Sequence, residues 1–170
     1  MSASPENAIV NELNPDRADR LREQGFAVTQ KDASGYTPSR TPDVVIANPP
    51  FGTVRDDSGD TRHFNVLGLD TTEIDQAISL KALDTLPEDG RAVLIIGGKQ
   101  GNDKARSAKY NTAAQRAFYK TLFDHFNVVD HFSVDGKLYQ KQGAGYPIDF
   151  IVIDGHYPTE NPVYPAGRLP

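Results

Sequence analysis

Asp43-Val44-Val45-Ile46-Ala47-Asn48-Pro49-Pro50-Phe51 is the stretch on which the reading of this chain turns. Val44, Val45 and Ile46 are β-branched and apolar, the composition of a short buried strand, predicted over Asp43 to Ala47. The strand stops at Asn48 because two consecutive prolines fix two φ angles and delete two backbone donors. What is left is a rigid rim of acceptors, the Asn48 amide oxygen and the Pro49 carbonyl, followed by the flat face of Phe51. An amino group on a planar ring has two N–H donors and a lone pair delocalised into the ring. Two fixed acceptors hold both donors and bias the nitrogen toward a tetrahedral, nucleophilic shape, while an aromatic face stacks the ring. Asn48, Pro49, Pro50 and Phe51 are therefore the candidate catalytic residues; the bland alternative is a proline-rich turn.

Working outward, apolar runs alternate with helical patterns. Ala8 to Leu13 reads as a strand, Pro15 to Gln24 as a helix entered through Asn14-Pro15 and stopped by Gly25, and Phe26 to Gln30 as a second strand. Gly52 to Leu69 reads as a long loop of mixed charge. Asp70, Thr71 and Thr72 offer caps for a helix carrying Ile74, Ala77, Ile78 and Leu83. Ala92 to Ile96 is the most apolar strand. A helix fits Thr112 to Phe126, with Gly97 to Gly101 before it as a flexible segment on the substrate side. Val128 to Val134 and Phe150 to Ile153 close the series with no helix between them, an antiparallel pair at one sheet edge. The sum is an α/β fold: a mostly parallel sheet covered on both faces, ending in an antiparallel C-terminal edge hairpin. Residues 1–157 form one domain and 158–170, with four prolines in the last thirteen positions, a Pro-rich tail. Ligands of such sheets sit beyond the carboxyl ends of the strands, where Glu12, Asp32 and Asn48 fall.

Composition narrows the chemistry. The 170 residues contain no cysteine, which excludes disulfide scaffolds, thiolate metal sites and cysteine nucleophiles. His63, His125, His131 and His156 lack metal-ligand spacing, and neither a P-loop nor a G-x-S-x-G elbow occurs, so no metal is expected. No apolar run approaches a membrane span and no signal peptide is visible, so the cytoplasm is the expected compartment. With 18 basic against 23 acidic residues the net charge is −5, so nucleic-acid contact requires a local basic patch. One exists: Lys99, Lys104, Arg106, Lys109, Arg116 and Lys120 face a single acid, Asp103, across positions 99 to 120. Lys99, Lys104, Arg106 and Lys109 are the candidate phosphate contacts, with Tyr110 a possible stacking partner; a solvated helix face is the plainer reading.

Asn48-Pro49-Pro50-Phe51 at the end of the fourth strand resembles the catalytic motif of S-adenosylmethionine-dependent amino-methyltransferases, above all the DNA adenine-N6 enzymes, for which the phenylalanine ending is typical. The resemblance implies a Rossmann-like methyltransferase sheet and S-adenosylmethionine as cofactor. It implies Glu12 for the cofactor ribose, Asp32 for its adenine amino group, and Asn48 where cofactor and target base meet. Asp89 to Gly98 looks like the fifth strand of these enzymes. Val134 to Asp149 looks like the final hairpin of a methyltransferase-like domain found in large phage and plasmid polypeptides, beside a strawberry-notch type helicase and linked to antirestriction. The implied partners are DNA, with an adenine target, and the remainder of a larger helicase-containing polypeptide; neither membrane nor metal is implied.

The family's first strand and glycine loop have no counterpart here. Only seven residues precede Ala8, and the first glycine is Gly25. Gly143-Ala144-Gly145 is followed by Tyr146-Pro147 and a strand, not by a helix. The chain is thus expected to begin at the second strand, as a piece of a longer polypeptide or a natural remnant. An apolar central edge is then left open and cofactor binding by this chain alone is weak or absent. Two other functions stay open: a protein-glutamine N-methyltransferase, and a non-catalytic interaction module of the same fold.

Overall fold

The computed structural model describes residues 4–100, 103–135 and 146–165. After a 3-10 turn at Pro5–Asn7 come β1 (Val10–Asn11), α1 (Pro15–Glu23), β2 (Val28–Thr29), β3 (Val44–Ala47), β4 (Phe64–Val66), β5 (Leu69–Thr71) and α2 (Ile74–Leu83). Then follow β6 (Arg91–Gly97), α3 (Asp103–Tyr110), α4 (Ala113–His125), β7 (Val128–Val134) and β8 (Ile148–Asp154).

The main sheet has the order β3-β6-β8-β7. β3 is parallel to β6, and β8 is antiparallel to both β6 and β7, so β8 alone runs against the rest. The antiparallel pair closes one edge, with β8 inside and β7 outside. Alternation along β6 sends Ala92, Leu94 and Ile96 into the core. There they meet Leu80 and Leu83 of α2, Phe118 and Leu122 of α4, and Ile151 and Ile153 of β8. α4 starts where Thr112 caps it, the hydroxyl accepting from Gln115 N–H at 3.3 Å. Past β8, Thr159 donates its N–H to the Phe123 carbonyl at 2.8 Å, and Tyr164 packs edge-on against Phe123.

β1 and β2 form a separate two-stranded parallel sheet. Both are shorter than the sequence pattern predicts, because the Asn11 side chain takes over from the ladder: it donates to the Lys31 carbonyl at 2.9 Å and accepts from Lys31 N–H at 3.0 Å. Between the two sheets lies a break. β1 pairs only with β2 and β3 only with β6, and both line one cleft. Val44 is 59% and Ile46 75% exposed, so the expected cover on both faces fails at β3, where nothing among the described residues packs over that side.

Two further expectations need correction. The loop predicted over Gly52 to Leu69 contains the β4–β5 hairpin, closed by Leu67 (φ 52°) and Gly68 (φ 80°). The strands are three residues each, too short for alternation to register. The segment expected to be irregular before Asn111 holds the helix α3, whose apolar residues are too few for a helical stripe and whose buried anchor is Tyr110. Gly143-Ala144-Gly145 lies outside the described residues.

Candidate active site

The parallel arrangement of β1 with β2, and of β3 with β6, delivers three chain segments to one place. Glu12 follows β1, Asp32 lies just beyond β2, and Asn48 follows β3; all three line a single cleft of about 1140 Å³ with Pro49, Pro50 and Phe51. That exceeds the few hundred to about 1,000 Å³ of an ordinary small-molecule pocket, so it has room for more than one planar ligand. The six candidate positions that the sequence scattered over 40 residues are therefore brought together, Asn48 belonging to both the catalytic and the cofactor set.

At the motif the burial alternates. Pro49 is buried and anchors the corner, while Asn48 and Pro50 are exposed and Phe51 is 41% exposed. The Asn48 amide makes no hydrogen bond to the described residues, and Asn48 is exposed where it lines the cleft. The corner is clasped from behind: Ile74 N–H donates to the Gly52 carbonyl at 2.8 Å, and Thr53 bridges Glu73.

The two carboxylates are held differently. Glu12 accepts from Arg17 through both oxygens (Nε to Oε2 and Nη2 to Oε1, each 2.9 Å) and from Asn14 N–H at 2.8 Å. The Arg17 bonds hold its carboxyl below the usual glutamate range. Asp32 accepts from the Ser34 hydroxyl at 2.7 Å and Ser34 N–H at 2.9 Å, and from Arg62 Nη1 at 3.0 Å, which likewise hold its carboxyl below the usual aspartate range. Arg62 in turn sits 4.8 Å over the Phe64 ring, so the β4–β5 hairpin supplies a cation to the cleft. Arg17 and Arg62 were invisible to sequence reasoning. Arg17 stands five residues from Glu12 across a helix start and Arg62 is thirty residues from Asp32, and neither spacing is a motif.

The basic stretch lies elsewhere. None of Lys99, Lys104, Arg106 and Lys109 lines the cleft. Lys99 is half-buried at the end of β6, Lys104 is exposed, and Lys109 Nζ donates to the Gln100 carbonyl at 2.9 Å. Arg106 keeps Nε and Nη2 buried without a hydrogen-bond partner among the described residues. Tyr110 is buried, so it is a packing residue and not a stacking platform.

No family model matches this chain, and no curated protein matches it either. Among solved structures, the fold is similar to that of a chain from Listeria monocytogenes assigned as a class I S-adenosylmethionine-dependent methyltransferase, with a TM-score of 0.55 and 12% identity. The match covers 83% of this chain and 41% of that one, so this chain spans about two-fifths of its structural neighbour's length. The class is thereby defined: a Rossmann-like α/β fold of the class I methyltransferase type, mostly parallel with an antiparallel edge pair. Within it, the particular features of this chain are the break between β1 and β3 and the Asn48-Pro49-Pro50-Phe51 corner that opens on it.

Proposed function

We propose that this chain carries the amino-methyl transfer site of an S-adenosylmethionine-dependent DNA adenine-N6 methyltransferase, working as part of a larger helicase-containing polypeptide. One observation carries the reading: the uncommitted Asn48 amide and the Phe51 face line the same cleft as two acidic groups suited to a nucleoside.

The donor set fits the nucleoside half of the cofactor. A carboxylate offers about four lone-pair sites. Glu12 uses three of them on Arg17 and Asn14, leaving acceptor capacity for a ribose hydroxyl. Asp32 is the acceptor for an adenine amino group. No glycine lines the described cleft, so the methionine end of the cofactor lacks the close backbone cradle such loops provide. When bound, S-adenosylmethionine supplies an electrophilic methyl group. The chain's own residues prepare the nucleophile. The Asn48 amide oxygen and the Pro49 carbonyl accept the two N–H bonds of the target amine, and Phe51 stacks its ring. The nitrogen lone pair is then directed into the cleft and not into the ring. No covalent enzyme intermediate is needed, in keeping with a chain without cysteine.

The non-catalytic module remains the second reading, favoured by the absence of glycine from the cleft lining. Tritium-methyl transfer to DNA and to glutamine-containing peptides, measured for the chain alone and within the larger polypeptide, separates these readings. Label in adenine that falls at least about 100-fold in Asn48→Ala, the scale on which losing one catalytic hydrogen-bonding group acts, supports the proposal. Label in peptide alone points to the glutamine enzyme. No label in any form leaves the interaction module.

A further inference from the structure

Asp75, on the first turn of α2, is a charged residue that the transfer chemistry does not use, yet it is only 5% exposed. Its Oδ2 accepts from Gly97 N–H, the last residue of β6, at 3.1 Å, while its Oδ1 is buried with no hydrogen-bond partner among the described residues. A buried carboxylate oxygen without a donor costs stability, and such exceptions call for a functional account. Phe51 supplies one. A Cβ built on Gly97 would lie 3.5 Å from Phe51 Cγ and 3.6 Å from Asp75 Oδ2, so the root of the aromatic ring and the carboxyl converge on one backbone point. The neighbours of Asp75 hold the neighbours of Phe51: Ile74 N–H bonds the Gly52 carbonyl, and Glu73 bridges Thr53.

We infer that Asp75 is a positioning residue: by hooking the end of β6 through Gly97 it sets the seat on which the Phe51 ring rests, and so the attitude of the stacking face to the cleft. The inference rests on the amino-transfer reading only for the purpose of that face, since the seating itself is a property of the apo chain. Burial pushes the Asp75 carboxyl above the usual aspartate range; Glu73 nearby adds to this, whereas Gly97 N–H and Lys99 oppose it. The seat therefore holds a group that titrates late.

The chain has no tryptophan, so Phe51→Trp places a single indole at the corner, excited apart from the seven tyrosines. In that background Asp75→Ala is expected to red-shift the emission and raise acrylamide quenching. Asp75→Asn keeps an oxygen for Gly97 N–H and is expected to restore both. With Asp75 intact the emission should step with pH above the usual carboxylate range, and the step should vanish in Asp75→Asn. If methyl transfer is detected, Asp75→Ala in the Phe51 chain should lower kcat about tenfold or more with the cofactor KM unchanged, as misplacement of a reacting group does. Unchanged emission, quenching and pH response in both variants, with far-UV dichroism showing an intact fold, would overturn the inference. Should Asp75→Ala fail to fold, the pH step and its loss in Asp75→Asn decide alone. A fluorescence response without methyl transfer in any form would retain the seat and refute the enzymatic reading.

Discussion

Removing one hydroxyl, in Tyr110→Phe, tests how the cleft-side end of the sheet is held. Asp149 is wholly buried on β8. It accepts from the Tyr110 hydroxyl at the end of α3 and from the Ser133 hydroxyl of β7 at 2.6 Å, with His131 Nε2 at 3.4 Å. The Tyr110 oxygen also accepts from Lys99 N–H at 3.3 Å. The substitution deletes a hydrogen bond to a charged acceptor, about 1.5–3 kcal/mol, and strips a backbone donor of its partner, about 1 kcal/mol more. A loss of about 3 kcal/mol follows, which in a chain of this size lowers Tm by about 6–12 °C. Asp149→Ala should cost more, about 3–5 kcal/mol, because the buried Tyr110 hydroxyl and the half-buried Ser133 hydroxyl then lose their acceptor together. Urea and thermal unfolding followed by far-UV dichroism measure both. The phenol is pushed up to about 12, first by burial and then by the Asp149 charge. A group raised in the folded state stabilises fully below its unfolded pKa of about 10 and loses that contribution as pH climbs through the folded value. The wild-type chain should therefore lose stability between about pH 10 and pH 12 by more than Tyr110→Phe does. A Tyr110→Phe cost below about 1 kcal/mol falls short of the range for a buried charged hydrogen bond and would refute this account, as would an Asp149→Ala cost smaller than that of Tyr110→Phe, since Asp149 serves both hydroxyls.

Glu12 and Asp32 are lowered in the folded state, so both stabilise at neutral pH and lose that contribution as pH falls through the carboxylate range. Urea midpoints between pH 2 and pH 5, about the span in which carboxylates titrate, should show this fall, shallower in Arg17→Ala and Arg62→Ala. Gly155→Ala should cost about 1–3 kcal/mol, because φ is +123° and a Cβ there would lie 2.1 Å from Tyr157 Cε1; adding Tyr157→Ala should recover part of the loss in the same melts. Isothermal titration of the isolated chain with S-adenosylmethionine should give no micromolar binding, since no glycine lines the described cleft; a micromolar Kd would contradict this.

The Asn48-Pro49-Pro50-Phe51 corner was legible in the sequence because its stiffness is local: two prolines after a β-branched run act on the backbone wherever the chain goes. Glu12 and Asp32 were legible through strand ends alone, and their presence in one cleft with Asn48 follows from the parallel pairings. What stayed hidden was partner choice. Asp32 with Arg62, Asp75 with Gly97 and Tyr110 with Asp149 are 30, 22 and 39 residues apart, and each depends on helix and hairpin placement that periodicity does not encode. α3 escaped because a polar helix tethered by one tyrosine carries no stripe. The face of β3 misled because β-branched residues that read as buried are exposed at Val44 and Ile46.

That bareness has a consequence for control. Two strands on one side and four on the other stand like the halves of an unzipped garment, each with backbone groups unspent toward the cleft between β1 and β3. An extended polypeptide laid along either edge would add a strand to that half, beside Glu12 on one flank or Asn48 on the other. Whatever the cleft holds would then be framed by the supply of a ribbon of backbone, with no change in any side chain that lines it.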